Sequence, residues 1–124
     1  MENTIVQIDN PPHYEQASPL GQLLLMRGLD LTQAELNMKC IDYLEANPLL
    51  CGFHLGNAIK YLWRCGEKDD VVTDCQKALW YLRRWERLDL NHADGIKKAV
   101  ATLVVQVEQA IRVQALCKGE MHGT

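Results

Sequence analysis

The sequence predicts an all-α protein, a small helical bundle of about four to five helices with an extended N-terminal strap and a long C-terminal helix. Three observations carry that expectation. Apolar residues recur at spacings of three and four along several stretches, the period of a helix with one buried face. Most of those stretches are bracketed by helix start and stop chemistry. With 48% apolar residues in 124 positions, the chain can also fill one packed core. Its charged fraction of 23% is too low for a disordered tail.

Residues 1–17 read as extended. Pro11-Pro12 forbids helix, and Asn10 before a proline is pushed out of the helical region. Ile5, Val6 and Ile8 fit a short strand or a strap lying on the body. Ser18-Pro19 is a cap followed by a proline at the first helical position, and Gly28 is the expected stop. Thr32-Gln33-Ala34-Glu35 has the form of a reciprocal capping box. The helix it opens is expected to reach about Ala46, with Leu36, Cys40, Tyr43 and Leu44 on one face, and to end at Asn47-Pro48.

Two central helices follow, joined by the polar turn Gly66-Glu67-Lys68-Asp69-Asp70, the second ending near Leu88. Asp89 to Gly95 reads as a turn. The last helix is expected from about Ile96 to Cys117, stopped by Lys118-Gly119. Ile96, Val100, Leu103, Val107, Ala110 and Ile111 form its stripe, which Val104, Val105 and Val113 widen. So broad an apolar face over about 30 Å implies cover on more than one side, so a homo-oligomer is expected through this helix, the alternative being the central helix of a monomeric bundle. The chain is read as a single domain, residues 1–124, with a ligand-binding core at 10–88 and an oligomerisation helix at 89–124.

A net charge of −3 argues against wrapping DNA by overall charge and leaves room only for a local basic patch. LTQAELNMKCIDYL has the look of the first helix of a helix-turn-helix, but Asn47-Pro48 interrupts its partner, so nucleic acid is not an expected partner. MENTIVQIDN lacks the features of a signal peptide. The runs Leu23–Met26 and Ala99–Val105 are too short for a bilayer. A cytoplasmic protein with no membrane contact is expected. Five cysteines without a CxxC pair read as free, mostly buried thiols, and four scattered histidines offer no metal-ligand spacing, so no metal site is expected.

Function points to the central helices. Asn57, Lys60, Tyr61, Arg64 and Lys68 fall within roughly a third of a helical circumference. Each donates hydrogen bonds, and none of the five is acidic. The next helix carries Asp74, Lys77, Tyr81 and Arg84 along one side. In an antiparallel hairpin these sides face a common groove that suits a bound phosphate, gripped by the arginine fork and by lysine point charges. The alternative is a solvated face whose cations pair with Glu67, Asp69 or Asp70. Asp74 could pair with Lys77, hold a ribose hydroxyl or carry magnesium beside a phosphate. His13-Tyr14 is either an incidental loop pair or a base-stacking lid and proton shuttle. Trp63, Trp80 and Trp85 read as core or interface anchors, and Met26 and Met38 as core filler. The sequence has no P-loop, no GxGxxG, no clustered glutamates of the EExxE kind and no nucleophile elbow.

Asn10-Pro-Pro-His13-Tyr14, Cys40-Ile41-Asp42-Tyr43, Gly56-Asn57-Ala58-Ile59-Lys60-Tyr61 with Arg64 and Lys68, and Asp74 with Lys77-Ala78 and Tyr81-Leu82 together resemble the SaV-like family of tailed-phage proteins. The resemblance covers about residues 10–85. The insert between Tyr14 and Cys40 is longer than the pattern, and Cys75 stands where a leucine is usual. Most of that family is of unknown function, and some members are described as oligomeric phage nucleotide kinases acting on deoxynucleoside monophosphates. The resemblance therefore implies a nucleotide kinase-like protein using ATP and magnesium. Lys60, Arg64, Lys68 and Lys77 would hold phosphates. His13, Tyr14, Asn57 and Tyr61 would handle base and sugar, and Asp74 would place a metal or accept a proton. The alternatives are a non-catalytic protein that sequesters a nucleotide or blocks a host defence protein, and a plain helical adaptor.

Overall fold

The computed structural model of the chain describes residues 16–88 and 92–123, the side chains of 118–123 excepted. The expected strap and its His13-Tyr14 pair lie outside the described residues. Among those residues the chain is all α, with no strand. The elements are α1 (Pro19–Leu29), α2 (Gln33–Leu36), α3 (Cys40–Ala46), a 3₁₀ turn (Pro48–Leu50), α4 (Phe53–Trp63), α5 (Val71–Leu88) and α6 (Asp94–Gly123). The long helices close a ring in which α4 lies on α5, α5 on α6, α6 on α1, and α1 on α4. Leu25, Leu36, Ile59, Leu62, Trp63, Leu82, Leu103 and Val107 fill its centre.

The joint between α1 and α4 explains both ends that meet there. Ser18 Oγ accepts from the Gly21 N–H at 3.1 Å and donates to the Cys65 carbonyl at 2.8 Å. The Ser18 N–H donates to the Trp63 carbonyl at 2.7 Å. Donors left over at the start of one helix thus satisfy carbonyls left over at the end of another. Only glycine allows the approach, because a Cβ on Gly21 would lie 2.2 Å from the Leu62 carbonyl oxygen.

Four boundaries differ from expectation. Gly28 does not stop α1, which runs to Leu29 and ends on Asp30 at φ 58°. Gly28 is there for space, since a Cβ would fall 2.4 Å from Leu103 Cδ1 and let α6 no closer. The Thr32–Glu35 capping box forms, but its helix breaks after one turn at 37–39 and restarts as α3. Leu36, Cys40, Tyr43 and Leu44 remain buried together across the break. Pro48 opens a 3₁₀ turn instead of only ending a helix. Finally, α6 begins at Asp94 and passes through Lys118-Gly119 to Gly123.

Along α6, Val100, Leu103, Val104 and Val107 are buried, whereas Val105, Val113 and Leu116 are exposed. The length between Asp94 and Cys117, of mean hydropathy 1.2, is long and apolar enough to cross a membrane by length and composition. The shorter run considered in the sequence understated it. In this fold its buried stripe belongs to the core. Cys40, Cys65 and Cys75 are buried free thiols, while Cys51 and Cys117 are exposed. Met26 is exposed and Met38 only half-buried, so neither fills the core as expected.

Candidate functional site: a cationic aromatic hairpin

The turn between α4 and α5 sets the geometry. Gly66 adopts φ 84°, a conformation that favours glycine. In that conformation its N–H donates to Asp74 Oδ2 at 3.0 Å. Asp70 holds the start of α5, accepting from the Thr73 N–H at 2.8 Å and from its hydroxyl at 3.0 Å. Asp74 is fully buried, and its Oδ1 has no hydrogen-bond partner among the described residues. The pairing of Asp74 with Lys77, one of the three roles open to it from the sequence, is not among the ion pairs of the described residues. Lys77 instead meets Asp69 at 3.7 Å, both side chains being almost half exposed.

Tyr61 is where the cations converge. Lys60 Nζ lies 4.9 Å from the centre of its ring, Arg64 Cζ 5.1 Å and Lys77 Nζ 5.4 Å. Lys60 and Tyr61 come from α4, Arg64 from the residue capping its end, and Lys77 from α5. Each cation–ring contact is mildly favourable. Three positive groups beside one ring are also placed to share a single anion. Arg64 is only 7% exposed, so the protein holds the guanidinium in place rather than leaving it to sweep through water.

The aromatic surface continues down the hairpin. Tyr61 stacks on Tyr81 with ring centres 6.0 Å apart and planes 16° from parallel. Tyr81 also meets Phe53 at 5.7 Å, His54 at 6.4 Å and Trp80 at 5.0 Å. Arg84 lies over the Trp80 ring at 4.8 Å.

Of the residues singled out from the sequence, Lys60, Tyr61, Arg64, Lys77 and Tyr81 are therefore brought together. Asn57 sits on the same stripe but donates back to the Phe53 carbonyl at 2.6 Å. Lys68 is exposed on the turn and is not among the cations at the Tyr61 ring. Asp74 lies beneath the turn as its clamp. His13 and Tyr14 are outside the described residues. Phe53, His54 and Trp80 were missed as site residues. Their signal was present, because Phe53 is four residues before Asn57, and Trp80 has Gln76, Lys77, Arg83 and Arg84 as its helical neighbours.

Three buried thiols lie close by. Burial pushes the Cys40 thiol up to about 12, and the Lys60 ammonium opposes the rise. Cys65 and Cys75 flank the turn with their sulfurs 3.7 Å apart. Their shared hydrogen bond raises the Cys65 thiol, with burial adding to it, and lowers that of Cys75.

The profile of a family described as a protein of unknown function (DUF3310) matches residues 8–83, which spans α1 through most of α5 and stops before α6. No curated protein matches the chain, and no solved structure does.

Proposed function

The chain belongs to the DUF3310 family, and from that premise we propose that it binds a nucleotide by its phosphate in the groove of the α4–α5 hairpin. The family has no assigned activity, so the reading rests on residues. One observation carries it: cations from two helices gather within 5.4 Å of the Tyr61 ring centre. Arg64 offers a two-pronged donor for phosphate oxygens, and Lys60 and Lys77 add point charges. Tyr61 and Tyr81 offer flat faces to a base or sugar. The resemblance to SaV-like phage proteins extends this to a nucleotide kinase-like activity on deoxynucleoside monophosphates, with ATP and magnesium. Phosphoryl transfer asks mainly for positioning and charge neutralisation, which this cluster supplies for one phosphate chain.

A second reading is sequestration without chemistry, as in a phage protein that withholds a nucleotide signal from a host defence system. The placement of Asp74 favours it. The carboxylate assigned the acid role is fully buried, with one oxygen committed to the Gly66 N–H.

Incubation with ATP, magnesium and a panel of deoxynucleoside monophosphates separates the two. Diphosphate product supports the kinase reading, and tight binding with all nucleotide returned intact supports sequestration. Arg64→Ala is expected to weaken binding by an order of magnitude or more, about 1.4 kcal/mol or greater. Because Arg64 is buried, Lys77→Ala provides a second, exposed variant with the same expected direction. Titrations of both variants that match the wild type would remove the cluster from any nucleotide site.

A further inference from the structure

We propose that the site is the head of a longer track and that its ligand class is single-stranded oligonucleotide, read through successive bases and phosphates. The inference rests on the phosphate-binding reading above and extends it along α5. Its basis is a second station of the same chemistry. Arg84 lies over Trp80 just as the first three cations lie around Tyr61, and Trp80 is 55% exposed. Gln76, Leu79, Trp80, Arg83, Arg84 and Arg87 line one shallow depression on this side of α5.

The two stations are joined by rings. Tyr61, Tyr81 and Trp80 follow one another at 6.0 and 5.0 Å between centres. Along the helix axis Lys77 and Arg84 are seven residues apart, about 10 Å. One phosphate cannot touch both, whereas two phosphates of a single strand can. Aromatic faces accept any base, and cations beside them follow the backbone. A duplex hides its base faces, so the exposed Trp80 ring selects an unpaired strand.

Charge complementarity favours a polyanion over an apolar protein partner. On α5, Lys77, Arg83, Arg84 and Arg87 face only Asp74 and Glu86 from the same helix. Asp74 is buried, and Asp69 of the turn meets Lys77. Among the described residues Glu86 and Glu108 pair with Arg83, and no carboxylate pairs with Arg84 or Arg87. The grounds for setting nucleic acid aside were an interrupted helix-turn-helix, which this face does not use, and a net charge of −3, which describes the whole chain rather than this face.

The protein carries its own probe. Trp63 and Trp85 are buried, so quenching by a stacked base reports on Trp80. Full-length protein is titrated with thymidine monophosphate and with an oligothymidylate of about eight nucleotides. The oligomer is expected to bind at least tenfold more tightly, with quenching. Its log K against log salt should steepen by about 0.7 for each added phosphate contact. In Trp80→Ala and in Arg87→Ala the ratio of oligomer to mononucleotide affinity should fall towards one. Equal affinities in the wild type, an unchanged ratio in both variants, or equal competition by duplex DNA or polyglutamate would overturn the track. If the mononucleotide alone binds, this inference fails and the phosphate site stands. If neither binds, both fail.

Discussion

Ser18→Ala tests the joint on which the site is mounted. The substitution removes the oxygen that caps α1 at the Gly21 N–H and the hydroxyl that donates to the Cys65 carbonyl. Loss of a serine cap costs about 1 kcal/mol. A buried carbonyl left without its donor costs about 1–3 kcal/mol more. Together they give about 3 kcal/mol. An unfolding entropy of about 2.1 cal/mol/K per residue converts that to a fall in Tm of about 11 °C. Circular dichroism at 222 nm during heating measures it. Ser18→Gly separates the two parts, since glycine caps nearly as well as serine yet cannot reach Cys65. It should recover about 1 kcal/mol of the loss. Cys65 follows Arg64 directly, so both variants should also bind nucleotide more weakly at temperatures where they remain folded. Melting within about 2 °C of wild type for both, the range of a neutral surface change, would refute the claim that this serine clamps the two helix ends.

Other consequences are simpler to read. Gly28→Ala places a methyl group 2.4 Å from Leu103 Cδ1 and 2.9 Å from its Cα, so it should destabilise by about 1–3 kcal/mol. Gly95→Ala meets nothing within 4 Å and should be neutral or slightly stabilising, and equal urea midpoints for the two would contradict the close-approach argument. A thiol reagent should find two fast cysteines in the native protein, Cys51 and Cys117, and the other three only after unfolding. Burial raises Cys40 from 9.0 to about 12, and burial followed by the Glu35 charge raises Tyr43 from 10.0 to about 12. The unfolded chain therefore releases these protons first, so the stability they contribute is full below pH 9 and drains away as pH rises towards 12. Urea midpoints at pH 8 and pH 10.5 check the sign, which is wrong if the midpoint rises.

Local chemistry made much of this fold legible. The helical period put Lys60, Tyr61 and Arg64 on one side, and the cap at Ser18 and the box at Thr32 formed where their side chains required. What the sequence did not reveal depends on partners far along the chain. Gly28 looks like a helix stop, yet its purpose is the approach of Leu103. The break at 37–39 has no proline or glycine to announce it. Asp74 was visible as an acid in a first turn, but its role as a clamp depends on the φ of Gly66. Trp80 was read with the other tryptophans as a core or interface anchor, and it is not in the core. Its position among Gln76, Arg83 and Arg84 argued for the surface.

Whether the hairpin's cations merely decorate a solvated helix turns on their acidic neighbours, and one pair of that alternative, Lys77 with Asp69, does form. Lys60, Arg64, Lys68, Lys77, Arg83, Arg84 and Arg87 are more than half of the chain's 13 lysines and arginines. Between Phe53 and Leu88 they meet Glu67, Asp69, Asp70, Asp74 and Glu86, a minority of its 16 acids. A self-neutralised face would place acids three or four residues from each cation. Around Lys60 those positions are Gly56, Asn57, Trp63 and Arg64. Around Arg84 they are Trp80, Tyr81, Arg87 and Leu88. Of the hairpin's own carboxylates, Asp74 holds the Gly66 turn and Asp70 caps the start of α5, while Asp69 and Glu86 each make a surface pair with a hairpin cation, Lys77 and Arg83. Exposed pairs of that kind are weak and leave their cations available to a better partner. The excess of negative charge in the sequence therefore sits outside the stretch from Phe53 to Leu88.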